Sequence, residues 1–183
     1  EAIRKREKIP DYMVCSSKVD SSREYFFPQS FGDKFTILKG YISGERYNTP
    51  APWIKWMLDR KVKRSLNEWV DVVASHSLPI GKKFILYPLQ MQPEANLDVW
   101  GQSYRDQVKL INDISGCLPE HWHLLIKANP KSKYELFNGL IDTLRDNPKV
   151  TPLPLDVPMG KVLDDVALVC TVTGTVAVEC VLS

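Results

Sequence analysis

The chain has 183 residues, 44% hydrophobic and 25% charged, an ordinary globular balance with enough apolar surface to bury a core, which excludes a low-complexity or fibrous polymer. Its formal net charge of +2 gives no support to a nucleic-acid binder. No apolar run approaches the roughly 18 residues needed to span a bilayer, and the N-terminal stretch lacks the apolar segment of a signal peptide.

Residues 1 to about 50 are rich in Ser, Gly, Pro and aromatics, and residues 25–28 and 35–38 read as short β-like runs. Thr49-Pro50-Ala51-Pro52 marks a break, and Pro52 is suited to the first position of a helix, where its missing N–H needs no partner. Trp53, Trp56, Met57, Leu66, Trp69, Val70 and Val73 then recur near helical spacing and read as a core-facing stripe. The basic residues of this half, Arg4-Lys5-Arg6 and Arg60-Lys61-Val62-Lys63-Arg64, fit a solvated helix face first, and a phosphate or anionic-membrane patch second.

The second half is more regular. Residues 84–89 read as a strand, and a helix from about Ser103 to Leu118 follows, with Val108, Ile111, Ile114 and Leu118 on one face. Residues 122–127 form the next strand. Ser132 and Glu135 have capping-box spacing before a helix whose stripe is Phe137, Leu140, Ile141 and Leu144, stopped by Asn147-Pro148. Residues 150–155 carry Pro152 and Pro154, which suit an edge strand. A short helix from Pro158 to about Asp164, a buried strand over residues 167–172 and a helix from Thr175 complete a βαβαβαβα order. That order predicts an α/β fold, a Rossmann-like, mostly parallel sheet with helices on both faces.

Cys15, Cys117, Cys170 and Cys180 show no CxxC spacing and read as reduced core residues of a cytosolic chain. The first residue is Glu, and the last helix has run about two turns when the sequence stops, so the expectation is a piece of a larger protein. Residues 1–79 read as an appendage, a helical linker or part of another domain, and residues 80–183 as a nucleotide-binding unit truncated at its C-terminus.

Three polar clusters fall where apolar runs hand over to helices, at the expected carboxyl edge of the sheet, the edge at which open α/β sheets bind ligands. In Thr173-Gly174-Thr175 a glycine lets the backbone approach a ligand, while hydroxyls and free N–H groups can hold a phosphate; Glu179, one helical turn on, can accept ribose hydroxyls. Ordinary N-capping with a solvated Glu179 remains the alternative. Lys127 and Asn129 end the second strand, with Lys127 a cation near the expected phosphate. Gln90, Gln92 and Glu94 lie in a loop long enough to reach over a ligand; the glutamines suit a base or sugar, and Glu94 is the candidate acid, base or hydroxyl acceptor. His121 and His123 share a strand face but lie at the amino end with nothing to complete a tetrahedral set, so no metal site is expected.

Together, Tyr87-Pro88-Leu89-Gln90-Met91-Gln92-Pro93-Glu94, Ile126-Lys127-Ala128-Asn129-Pro130 and Thr171-Val172-Thr173-Gly174-Thr175-Val176-Ala177-Val178-Glu179 resemble the capsule polysaccharide biosynthesis proteins of bacteria, a group that includes Kdo transferases using a CMP-activated donor. The resemblance covers residues 80 to 183. It implies the C-terminal half of a B-type glycosyltransferase, with Lys127, Asn129, Thr173, Gly174 and Thr175 on the donor phosphate, Glu179 on the ribose, and the loop of Gln90, Gln92 and Glu94 facing the donor sugar or base. Asn129 stands where that family commonly carries a histidine; it can donate a hydrogen bond but carries no charge.

The implied substrate is a nucleotide-sugar, with no separate cofactor, and the implied acceptor is a glycolipid or polysaccharide. The implied location is cytoplasmic, with peripheral association at the inner membrane left open. A non-catalytic nucleotide-binding or assembly module of the same machinery, and a sugar-nucleotide epimerase, are the competing readings.

Overall fold

The computed structural model describes residues 31–44, 51–92, 94–129 and 136–182. Four strands, β1 (Lys83–Pro88), β2 (Trp122–Lys127), β3 (Val150–Leu153) and β4 (Leu168–Val169), form one sheet in the order β3-β2-β1-β4, with every pairing parallel. Helices α1 (Phe31–Ile42) and α2 (Pro52–Glu68) precede the sheet, and α3 (Gln107–Cys117), α4 (Asn138–Asp146) and α5 (Met159–Asp165) make the three crossovers. Helix α6 (Thr175–Leu182) follows β4. The chain is thus a Rossmann-like α/β fold.

The pleat of β1 and β2 divides the core in two, because successive side chains point to opposite faces. Ile85, Tyr87, Leu124 and Ile126 pack with Leu66, Trp69, Ile111, Leu140 and Leu144 on one face. Leu86, Leu125 and Leu153 pack with Val162 and Leu163 of α5 on the other, where Val176 and Cys180 of α6 also lie. Strands buried on both faces explain the unbroken apolar runs in the sequence.

Several expectations shift in detail. Residues 35–38 belong to α1 rather than to a β-run, while residues 25–28 and the Ser132–Glu135 capping box lie outside the described residues. Pro52 does open α2, but the buried face of that helix is Val62, Ser65 and Leu66, leading to Trp69; Trp53 and Met57 face solvent. After α2 a π-helical turn (Trp69–Val73) lets the Trp69 indole N–H donate to the Leu153 carbonyl at 3.1 Å, and the Ser75 N–H donates to the Pro152 carbonyl at 2.9 Å. Residues 66–74 therefore share a core with β1 and β2, so both sides of residue 79 contribute to it.

Strand β3 lies at a sheet edge, as its prolines predict. Strand β4 is shorter than expected and lies at the opposite edge, with Leu168 half exposed, so it is not a buried central strand. Phe137 precedes α4 and is exposed, whereas Leu140, Ile141 and Leu144 are buried on its strongly one-sided face. Cys117 is exposed rather than buried, and Cys170 and Cys180 are partly buried.

Candidate functional site

After β1 the chain crosses to β2 on one side, whereas β4 lies on β1's other side. The strand order reverses between β1 and β4, and a crevice at the carboxyl ends of two such strands is where open α/β sheets take ligands. The segments that meet there are Leu89–Gln92, leaving β1, and Thr171–Thr175, leaving β4.

Gln90 ties them together. Its side-chain amide donates to the Thr171 Oγ1 at 3.2 Å and to the Pro88 carbonyl at 3.1 Å, while its Oε1 accepts from the Thr173 hydroxyl at 2.8 Å. The Thr171 hydroxyl donates to the Thr173 carbonyl, which folds the turn back on itself. Gly174 sits at φ 105°, in the left-handed region, and an added Cβ would lie 3.9 Å from the Gln90 Oε1; the backbone angle, more than crowding, calls for glycine. Thr175 then opens α6, whose first N–H groups have no intrahelical acceptor.

A second glutamine, Gln107, holds the same segment from below. It is the first residue of α3, behind the Asp106 cap that accepts from the Lys109 N–H at 3.0 Å. Its Oε1 accepts from the Tyr87 hydroxyl at 3.1 Å and from the Gln90 N–H at 2.8 Å. Its amide donates to the Gln90 carbonyl at 2.9 Å and to the Gln92 Oε1 at 2.8 Å. All four hydrogen-bonding capacities of the buried amide are used, as a buried polar group requires. Burial pushes the Tyr87 hydroxyl well above its ordinary pKa, with Cys170 adding to the effect, so it stays a neutral donor.

Between these glutamines the chain makes an excursion. A π-helical turn (Asn96–Trp100) and a 3-10 turn (Gln102–Tyr104) precede α3, so that helix starts later than the sequence predicts. Asp98 organises the excursion: its Oδ2 accepts from the Glu94 N–H at 2.9 Å and its Oδ1 faces the Arg105 Nε at 2.7 Å. The Glu94 N–H holds its carboxyl below the usual carboxylate range, with smaller help from Gln92 and Arg105 against partial desolvation. Buried Gly101 lies against Val172, so the excursion packs on the turn after β4.

The predicted residues therefore divide. Gln90, Thr173, Gly174 and Thr175 are brought together at the crevice. Gln92 lies beside them but is spent internally, its amide donating to the Arg105 carbonyl at 3.1 Å. Glu94 is partly buried and its Oε1 accepts from the Asn96 amide at 3.3 Å. Asn129 is partly buried beyond the end of β2, and Glu179 lies on α6, its side chain outside the described set. His123 is buried and its Nε2 lies 2.8 Å from the Thr151 Oγ1, away from the carboxyl edge. Burial, with Lys82 nearby, lowers its pKa. Among the described residues no cluster of His, Cys, Asp and Glu could hold a metal ion.

Lys127 is the departure. It is buried, and its ammonium donates to the Pro154 carbonyl at 2.6 Å and the Leu155 carbonyl at 2.9 Å, in the loop after β3. Since β3 flanks β2 on the side away from β4, this cation braces the far loop instead of facing the Thr173 turn. Burial lowers its pKa from 10.5 to about 8, against the opposing charge of Asp156. The unfolded chain therefore binds the extra proton between about pH 8 and 10.5, so this group's contribution to stability rises with pH across that window. Side-chain NMR of the Lys127 ammonium is expected to give a midpoint near 8 in the folded chain; a midpoint at 10.5 would show the amine to be solvated.

The chain matches no family model, no curated protein and no solved structure.

Sequence reading missed Gln107, Asp98 and Gly101. Gln107 had a signal: it lies four residues before Ile111 and eight before Ser115, and these three form the buried stripe of α3. A polar residue in register with a core stripe must find buried partners.

Proposed function

We propose that the chain carries the donor-nucleotide half of a glycosyltransferase, which moves a sugar from a nucleotide-activated donor to a glycolipid or surface-polysaccharide acceptor. The observation that carries the reading is the reversal of strand order between β1 and β4, with the Thr173-Gly174-Thr175 turn and the start of α6 on its carboxyl side. A turn with a left-handed glycine and exposed N–H groups suits a phosphate, and hydrogen-bond donors there would stabilise charge developing on a leaving nucleotide. Thr175 and Glu179 lie a helical turn apart on α6, which supports a phosphate and ribose held in sequence. Glu94, at the head of the excursion, is the candidate acid or base. Asn129 would reach the donor from the end of β2.

One set of observations favours a second reading, a nucleotide-binding module without catalysis. The side chains of Gln90, Gln92 and Lys127 all have protein partners already, so they frame the crevice more than they offer groups to a substrate.

Calorimetric titration with CMP, UDP, GDP and ADP at matched salt tests both. Micromolar binding of one nucleotide, weakened about tenfold by Glu179→Gln without change in melting temperature, is the expected result; no binding of any of the four sinks the donor-site reading. Transfer activity in a chain that binds then separates enzyme from module.

A further inference from the structure

The solvent face of α2 changes character along its length. Trp53, Met57, Arg60 and Arg64 recur at spacings of four, three and four, so they form one stripe, flanked by Ile54 and Lys61, opposite buried Val62 and Leu66. Trp53 is 58% exposed and Met57 63% exposed. The first two turns therefore present large apolar groups to water, and the next two present cations.

Helix α1 adds to the apolar end. Its Phe35, Lys39 and Ile42 share a stripe, with Phe35 69% and Ile42 74% exposed, and its Tyr41 meets Trp53 edge-on at 5.5 Å between ring centroids. Five large apolar side chains, Phe35, Ile42, Trp53, Ile54 and Met57, are thus exposed on two touching helices. Scattered single exposures need no explanation, but five on two adjoining helices do.

We infer that α1 and α2 form a docking surface for an anionic lipid bilayer, with the apolar end entering the interface and the cationic half of α2 lying over the headgroups. Charge decides the occupant. Helix α2 carries five basic residues against two acidic, a greater excess than the +2 of the whole chain. A basic helix with Trp and aliphatic side chains beside its charges is the pattern that lies in a membrane interface. Polynucleotides would use the cations but leave Ile54, Met57 and Ile42 in water. No described helix is long and apolar enough to cross the membrane, so the contact is peripheral. This inference stands apart from the donor-site reading, because none of its residues lies at the crevice.

The test is co-sedimentation of the full chain with vesicles of phosphatidylcholine alone or mixed with phosphatidylglycerol, with tryptophan quenching by brominated phospholipid. Binding to the anionic vesicles alone is expected, weakening as salt rises. Arg60→Glu with Arg64→Glu should lower it by about tenfold or more, and Trp53→Ser with Met57→Ser should abolish quenching of the lipid-facing indole. Both pairs change exposed positions, so melting temperatures should hold; if one falls, quenching of the wild-type chain by brominated lipid decides the matter alone. Equal binding to neutral vesicles, unchanged binding by both variants, or self-association or oligonucleotide binding with no vesicle binding overturns the inference.

Discussion

Replacing Gln107 by leucine should destabilise the chain by about 3 kcal/mol or more, because each buried donor or acceptor left unpaired costs roughly 1–3 kcal/mol. Four partners lose their bond: the Tyr87 hydroxyl, both backbone groups of Gln90, and the Gln92 Oε1. Gln92 can turn toward solvent, but the other three are held in the core by β1. In a chain of this size the loss corresponds to a fall of roughly 6–12 °C in melting temperature. Tyr87→Phe removes one of the four bonds and should cost about 1 kcal/mol. The pair should be non-additive, since leucine at 107 has already orphaned the hydroxyl. A Gln107→Leu chain within about 0.5 kcal/mol of wild type, the range of ordinary surface changes, would remove the clamp from the account.

The clamp also explains how a long polar excursion can sit at the carboxyl edge without fraying. Gln107 fixes where Gln90 leaves β1, and Gln90 fixes the turn after β4, so the two loops at the strand-order reversal form one hydrogen-bonded unit. A ligand at the carboxyl ends of β1 and β4 would meet a preformed frame, so less ordering would be needed on binding. The cations and carboxylates prominent in the sequence contribute less to that frame than its uncharged amides and hydroxyls.

The fold was largely legible. Apolar runs at residues 84–89 and 124–126 fit strands buried on both faces, and the alternation with helical patterns points to the parallel order. The prolines of residues 150–155 placed β3 at an edge. What misled was Trp53 and Met57: their spacing is helical, but helical spacing alone does not say which stripe is buried, and the neighbouring stripe of Val62 and Leu66 won. That Thr173, Gly174 and Gln90 lie at strand ends was legible because strand ends and turns are marked by local residues. Lys127 was placed at the correct strand end yet assigned the wrong neighbour, since a four-carbon side chain at a carboxyl edge can turn toward either adjacent loop, and only the sheet order shows which loop offers carbonyls. Gln107 and Gly101 depend on contacts between segments far apart in sequence, which no local spacing records.

Gly101→Ala should cost about 1–3 kcal/mol through overpacking, and should loosen the excursion from the turn after β4. The backbone is not the reason: Gly101 has φ −99°, which alanine adopts freely. The reason is space, because an added Cβ would lie 2.9 Å from the Val172 Cγ1, 3.3 Å from the Asn96 carbonyl oxygen and 3.4 Å from the Leu97 Cα. The nearest obstacle is a side chain, so it can be removed independently. In a Val172→Ala background the same substitution should be milder by about 1 kcal/mol, with the two backbone contacts leaving a residual cost. Hydrogen exchange should report the damage locally, at the N–H of Gly101 and of Thr173 to Thr175, while β1 and β2 stay protected. An equal cost in both backgrounds would mean that Val172 does not support the excursion.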